Sequence, residues 1–322
     1  MKTYCGTWLL ALPILACLAA AATGCIDQIS ADLPPPPKVL VLNSIVRPDS
    51  TFVVQVSRVA STTDSSSRLL SSASVYLLAP GQRAEQLSNA GNGIYTSPHQ
   101  PVSGLAYTLR AEADGYPPAS ATDTVPTAVP IREGWYSYPT STNRNNELLG
   151  TIVVRFDDPA PTADFYELTA YQQQNTGSGR PYQSQDFLLD VRGNAALAAE
   201  GDADFNPQSL VFSDRLFNGQ AFELRASFSP SSRSSGGTNN GQPVPPRVSG
   251  QVYVVLRSVS RAYYQYRKSW TRHFYNQGTK GPGGDLNQLL FLGDPTCMYS
   301  NVAGGYGVVV GQTQVVRLLP LR

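Results

Sequence analysis

The sequence predicts a mainly β fold: two β-sandwiches in series, the second larger and carrying one amphipathic helix. Three observations predict it. Short runs of alternating apolar and polar residues recur along the chain, separated by turn residues. Glycine (27), proline (25) and tyrosine (17) are abundant, a composition of strands joined by many turns. One segment changes period and places aromatic residues three and four positions apart.

The elements follow in order. Lys2 gives a positive start, an apolar run extends from Trp8 to Ala22, and the small residues Ala22-Thr23-Gly24 precede Cys25. This is the layout of a secretory leader over residues 1–24. The run is shorter than the ~20 residues a membrane-spanning helix needs, and Pro13 interrupts it. The cysteine directly after small residues resembles the lipobox of bacterial lipoproteins, with Ala22 where leucine is usual; an ordinary leader followed by a chance cysteine is the alternative. The resemblance implies that Cys25 is lipidated and begins the mature chain. Each buried acyl methylene adds ~0.8 kcal/mol, so two or three chains make a permanent anchor. Residues 25–37 read as the lipidated cysteine and a tether, because Pro34 to Pro37 favour an extended, semi-rigid spacer.

Residues 38–127 read as the first sandwich. Val39–Val46 is a β-branched run closed by the turn Arg47-Pro48-Asp49-Ser50. In Thr51–Arg58, Phe52, Val54 and Val56 share one face. Short strands follow around Ser74–Leu78, Gly93–Thr96, Tyr107–Glu112 and Ala119–Thr124, at sandwich spacing. Residues 128–142 read as a connector, with Pro130 and Pro139 flanking Trp135, Tyr136 and Tyr138. Those three aromatics are either a ligand-binding surface or a plug between two domains.

Residues 143–322 read as the second β-domain. Its strands are Thr151–Phe156, Phe165–Tyr171, Gln220–Phe228, Gly250–Ser258 and Tyr306–Leu318, with polar loops at Gln172–Gln183 and Ser229–Ser249. Ser260–Phe274 carries Tyr263, Tyr266, Trp270 and Phe274 on one helical face, which reads as a core face, and Arg261, Lys268 and Arg272 elsewhere, which read as solvated.

Two family resemblances emerge from particular segments. Ala73-Ser-Val-Tyr-Leu, Asn92-Gly-Ile-Tyr95 and Tyr107-Thr-Leu-Arg-Ala-Glu-Ala-Asp-Gly-Tyr116 occur in an order that resembles carboxypeptidase-regulatory-like domains, which implies an Ig-like sandwich for residues 38–127. Phe212-Ser-Asp-Arg-Leu-Phe-Asn-Gly-Gln220, Val252 to Tyr266, Gly293-Asp-Pro and Tyr299-Ser-Asn-Val-Ala-Gly-Gly-Tyr-Gly-Val308 together resemble the DUF4249 family of Bacteroidota lipoproteins. Cys297-Met298 departs from the apolar or proline residues usual there. The resemblance implies an outer-membrane lipoprotein that acts with a TonB-dependent transporter, and it supplies no functional residues.

Charge and cysteine usage exclude several classes. Removing Lys2 with the leader leaves 23 basic against 23 acidic residues, so nothing in the net charge favours nucleic acid. Of four cysteines, Cys5 and Cys17 leave with the leader and Cys25 is the lipid site. Cys297 remains, reads as a small, partly buried residue, and by itself builds no zinc site.

No catalytic set is expected. The histidines are His99 and His273, in different domains, with His273 on the helix surface. Thr279-Lys-Gly-Pro-Gly-Gly284 lacks the strand–loop–helix setting and the Gly-Lys-Ser/Thr ending of a phosphate loop, and reads as a flexible loop. Asp202-Ala-Asp-Phe-Asn206 begins like a calcium loop, but Pro207 stands where the turn glycine belongs and Ser213 where the bidentate glutamate belongs. Asp157-Asp158-Pro159 reads as a turn. The expected protein is therefore a non-catalytic lipoprotein without a cofactor, held to the outer membrane by Cys25 and serving a transporter or other envelope complex. The alternatives are a carbohydrate- or peptide-binding surface protein and a hydrolase with an unfamiliar site.

Overall fold

The alternation that marks the first third of the chain forms the strands it implies. The structure is a computed structural model and describes residues 35–61, 64–175, 181–201, 207–239, 241–276 and 296–322. The leader, Cys25, the calcium-like segment at Asp202–Asn206, the glycine-rich segment at Thr279–Gly284 and the Gly293-Asp-Pro motif lie outside the described residues. Residues Pro37–Arg322 form one unit.

One long sheet runs through that unit. Its first part contains β1 (Leu40–Val46), β2 (Val53–Arg58), and the hairpin of β5 (Ser88–Gly91) and β6 (Ile94–Thr96). Facing it is a four-stranded sheet ordered β4-β3-β7-β8: β3 (Ser74–Leu78), β4 (Glu85–Gln86), β7 (Ala106–Glu112) and β8 (Ala119–Thr124). The inward residues of both sheets fill the first core, with Leu40, Phe52, Val54, Val56, Val75 and Leu109 all at most 1% exposed. Phe52 meets Tyr107 edge-on at 5.0 Å.

The second sandwich repeats the plan. One of its sheets is ordered β13-β15-β10-β9: β9 (Ile131–Thr142), β10 (Leu148–Asp157), β13 (Leu189–Asp190) and β15 (Ala221–Phe228). The other is the continuation of the long sheet, with β11 (Phe165–Asn175), β12 (Pro181–Asp186), β14 (Leu210–Ser213) and β18 (Gln251–Val259). The core between them is aromatic: Phe156, Tyr166, Phe212, Phe217 and Phe222 interlock, with Phe217 stacked on Phe222 at 3.9 Å. Each such pair adds about 0.5–1.5 kcal/mol beyond its burial. A short helix α1 (Ala195–Ala198), capped by Asn194, and a small hairpin of β16 (Gly237–Asn239) and β17 (Gln242–Val244) lie in the loops.

The last strand, β19 (Gly305–Leu319), corrects the expected domain boundaries. It does not belong wholly to residues 143–322. Residues Gly305–Gly311 pair in parallel with β1, and Gln312–Leu319 pair antiparallel with β18. Fifteen residues at about 3.3 Å each reach roughly 50 Å, enough for one strand to serve both sandwiches. The switch falls at Gly311, where a Cβ would stand 2.3 Å from the carbonyl oxygen of Thr124.

Three smaller expectations also change. The connector at 128–142 is for the most part strand β9, so the loop between the sandwiches is only Val125–Pro130. Gln172–Gln183 contains the end of β11 and the start of β12, and Ser229–Ser249 contains β16 and β17, rather than being all loop. Cys297 is exposed, because it precedes β19 outside both cores.

Helix α2 (Arg261–Asn276) packs on the outer face of the long sheet, where Tyr263 and Ala262 meet Val259, Val308 and Val310. Its aromatic face is only half a core face: Tyr263 is buried, Tyr266 and Trp270 are half-buried, and Phe274 is exposed and stacked on Trp270 at 5.2 Å. Lys268, expected in solvent, is instead half-buried and paired with Glu200 at 2.9 Å. No described helix is long and apolar enough to cross a membrane.

Candidate functional site

Pro126 and Pro130 shape the junction. Neither has a backbone N–H, and each holds the residue before it extended, so Val125–Pro130 leaves the end of β8 as an extended loop. Gly104 donates its N–H to the carbonyl of Val125 at 2.7 Å, and Val129 donates to the hydroxyl of Ser258 at 3.1 Å. The loop is thus pinned at both ends. Opposite it run the β10–β11 loop and the first turn of α2. Between them opens a cleft of about 1140 Å³, lined chiefly by apolar groups including Val125, Pro126, Val129, Phe165 and Val259. That is somewhat above the roughly 300–1,000 Å³ of typical ligand pockets.

Carboxylates converge on this cleft. Asp123 accepts the N–H of Gly311 at 2.7 Å; burial pushes its pKa above the usual range, opposed by the Ser260 hydroxyl. Ser260 also accepts the N–H of Tyr263 at 3.1 Å and so caps α2. Asp157 pairs with Arg132 at 3.2 Å on the surface. Asp164 accepts from the Thr162 hydroxyl at 2.9 Å.

Behind Asp164 stand Asp158 and Asp214, and the carboxylate oxygens of the three lie within 4.8 Å of one another. Asp158 accepts the Tyr166 hydroxyl at 2.5 Å and the N–H of Gly219 at 2.8 Å. Asp214 accepts the N–H of Asp164 at 2.9 Å and the amide of Asn218 at 2.7 Å. Burial, then the neighbouring carboxylates, raise the pKa of Asp158 and Asp164. The Asp157-Asp158 pair, read as a turn, is split: Asp157 is exposed and Asp158 is 6% exposed inside the cluster. No spacing in the sequence marks Asp164 and Asp214, which are 50 residues apart and meet through loop packing. The three residues are the described group that could hold a metal ion by geometry; their protein donors already satisfy one oxygen or both on each carboxylate.

A second polar centre docks α2. Glu167, 4% exposed, accepts from Arg257 at 3.1 Å, Arg267 at 3.3 Å and the Tyr263 hydroxyl at 2.8 Å, and from the hydroxyl of Ser209. Glu200 accepts from Lys268 at 2.9 Å, the Tyr264 hydroxyl at 2.6 Å and Ser213 at 2.8 Å. Burial pushes Glu200 up, but the hydrogen bonds from Tyr264, Lys268 and Ser213 outweigh it and hold its pKa below the usual range. Each of these charged groups has an ion-pair partner, so this centre is structural.

The three connector aromatics, read as a ligand surface or a plug between domains, form neither as a set, because Tyr136 and Tyr138 belong to the core of the second sandwich. In β9 the alternation sends Tyr136 and Tyr138 into the second core, 7% and 8% exposed, while Trp135 takes the opposite face. There the guanidinium groups of Arg155 and Arg322 lie over its ring, 5.0 and 4.3 Å from the centroid. Three residues in one strand cannot share a flat patch when the side-chain period is two.

One serine–histidine–carboxylate group occurs in the first sandwich. Ser97 donates to Glu85 at 2.8 Å, and both approach the same ring nitrogen of His99, Nδ1, at 3.3 and 2.9 Å. A nucleophile and its orienting acid must sit at opposite ring nitrogens, so this set does not activate Ser97. His273 uses its Nδ1 to bond the carbonyl of Thr296 at 3.0 Å.

Two fused sandwiches with a largely apolar cleft at their junction define a mainly β, sandwich-like protein. The chain belongs to the family described as "Domain of unknown function (DUF4249)", whose profile matches residues 26–317. No curated protein matches it. Among solved structures it is similar to a Salmonella alpha-2-macroglobulin mutant, at 15% identity and a TM-score of 0.24, over 71% of this chain and 14% of that one. It is also similar to the full-length major pilin SpaD from Corynebacterium diphtheriae, at 8% identity and a TM-score of 0.18, over 70% and 61%. The chain thus spans less than two thirds of each, and likeness at this level carries no argument.

Proposed function

We propose that this protein is a non-catalytic, lipid-anchored binding protein of the outer membrane in Bacteroidota, accessory to a TonB-dependent transporter. The single observation that carries the binding role is the cleft of about 1140 Å³ at the junction of the two sandwiches. The anchor rests on Cys25 and the proline-rich segment after it, and the transporter on the family resemblance. A hydrolase reading has no support in the serine–histidine–carboxylate group, where Ser97 and Glu85 approach the same ring nitrogen of His99. The reading of a peptide-binding surface protein keeps support from the same cleft, whereas a sugar platform on Trp135, Tyr136 and Tyr138 loses its basis.

Metabolic acyl labelling of wild type and Cys25→Ala, with protease shaving of intact cells, tests the anchor and reports the exposed side. Labelling of wild type and its loss in the variant is expected; equal labelling of both overturns the anchor. Purification from membranes in mild detergent should recover a barrel protein with the chain, and a lone monomer under all conditions overturns the accessory role.

A further inference from the structure

The cleft brings together three features that point to one kind of ligand. We propose that it binds an extended peptide segment, laid along Thr127 and Ala128, with a lysine or arginine side chain seated at Asp164. The proposal rests on the binding role above and names the ligand class.

The first feature is an open backbone edge. Thr127 and Ala128 are exposed, and among the described residues neither their N–H nor their carbonyl groups enter a hydrogen bond. Pro126 and Pro130, which lack backbone N–H groups, bracket them, and the segment is a strand of neither sheet. Free backbone donors and acceptors are what strand addition by a peptide uses. The second feature is the apolar lining of the cleft, to which the half-buried Phe165 contributes.

The third feature is charge. Asp164 stands on the cleft wall with Asp158 and Asp214 behind it, and no described lysine or arginine forms an ion pair with any of the three. The Oδ2 of Asp164 accepts from Thr162, while Oδ1 has no partner among the described residues. Arg261 is the basic side chain among the cleft residues, and it is exposed at the rim. A cation from the ligand therefore meets an uncompensated carboxylate group in a partly dry site, where charge complementarity selects the partner. The acidic cluster by itself would be only a buried proton-sharing group; the cavity and the backbone edge make it a recognition site.

The test uses the full chain in mild detergent and a fluorescein-labelled pentapeptide with a central lysine flanked by threonine and valine. Its counterpart has a central glutamate, and cadaverine serves as a small amine. Saturable binding of the lysine peptide is expected, at least tenfold tighter than the glutamate peptide and weakening with salt. Asp164→Asn should weaken the lysine peptide at least fivefold, and Asp164→Lys should invert the preference toward glutamate. Circular dichroism melts check folding; if Asp164→Lys does not fold, Asp164→Asn decides. Equal binding of the two peptides, or no saturable binding by folded wild type, overturns the proposal. Displacement by cadaverine as effectively as by unlabelled peptide overturns the peptide in favour of a free amine. Both Asp164 variants keep Cys25, so acyl labelling and co-purification should persist in them. Failure of the anchor and failure of the peptide site are therefore separate results.

Discussion

The carboxylate of Asp123 accepts the backbone N–H of Gly311 at 2.7 Å, at the point where β19 leaves one sandwich and enters the other. The carbonyl of Gly311 accepts in turn from the N–H of Ser260 at 3.0 Å. One residue of a central strand is thus bonded on both sides by groups from different parts of the chain. Asp123→Ala leaves the Gly311 donor without its partner and should cost about 1–3 kcal/mol. Gly311→Ala drives a methyl group to 2.3 Å from the Thr124 carbonyl and should cost about 3 kcal/mol or prevent folding. Urea unfolding measures both, and a Gly311→Ala protein of wild-type stability would show that the strand does not cross there.

The carboxylate cluster makes stability depend on pH in a definite direction. Folding raises the pKa of Asp158 and Asp164, so the native state holds protons that the unfolded chain has released. Their stabilising contribution is complete below the unfolded carboxylate pKa of roughly 4 and is lost as pH rises through the folded values. Asp164→Asn keeps an oxygen for the Thr162 hydroxyl and removes one charge. It should raise the melting temperature at pH 7 and change it little at pH 4. A variant that melts below wild type at pH 7 would mean that the three carboxylates are compensated in solution, as by a bound cation.

Asp158 should behave differently although it is in the same cluster. Its two oxygens each accept a donor, from Tyr166 and Gly219, and asparagine offers only one acceptor. Asp158→Asn should therefore destabilise at pH 7 by about 1–3 kcal/mol, the cost of an unsatisfied buried donor. Parallel melts of Asp158→Asn and Asp164→Asn separate hydrogen bonding from charge repulsion, and equal effects would refute the distinction.

Glu167 holds helix α2 through the Arg267 guanidinium and the Tyr263 hydroxyl, and it also pairs with Arg257 of the neighbouring strand β18. Glu167→Gln leaves Arg257 and Arg267 facing each other and should cost about 3 kcal/mol. Glu223 also meets two arginines, Arg155 and Arg225, but on the solvent face of β15. Glu223→Gln should therefore cost less than about 1 kcal/mol. Denaturant titration of the pair checks whether burial sets the difference.

Tyr138 carries a buried hydroxyl with no partner among the described residues. Tyr138→Phe should be neutral or stabilise by up to about 1 kcal/mol, whereas Tyr136→Ala should cost about 3–5 kcal/mol by opening a cavity against Phe228. A loss of stability in Tyr138→Phe would place a water or another partner on that oxygen.

Much of the fold was legible because strand alternation is a local property. Phe52, Val54 and Val56 declare one face, and so do Phe222, Leu224, Ala226 and Phe228; the structure buries the first three and the last three of these fully. Helix α2 was legible from its spacing, but how much of its face is covered was not. Tyr263 and Phe274 lie on the same stripe, and whether each is buried depends on where the sheet beneath the helix ends. Lys268 was misread for the same reason. Helical periodicity places it away from the aromatic stripe, and nothing near it in the sequence announces Glu200.

The site was less legible than the fold. Trp135, Tyr136 and Tyr138 stood out as neighbours in sequence, but in a strand neighbours point apart. Asp158, Asp164 and Asp214 did not stand out, because they come from separate loops brought together by packing of the second sandwich.

By itself, the sequence determined that the described chain is β-rich, which strand faces turn inward, where the one long helix lies, and that Cys25 follows a leader-like segment. Each of these depends on residues within a few positions of one another. Only the tertiary structure decided that β19 joins both sandwiches at Gly311 beside Asp123, and that a cleft with Asp164 on its wall opens there. Those depend on contacts between residues up to 265 positions apart, as between Asn43 and Val308. Such pairings are set by which apolar faces bury each other, and no local pattern in the chain records that choice.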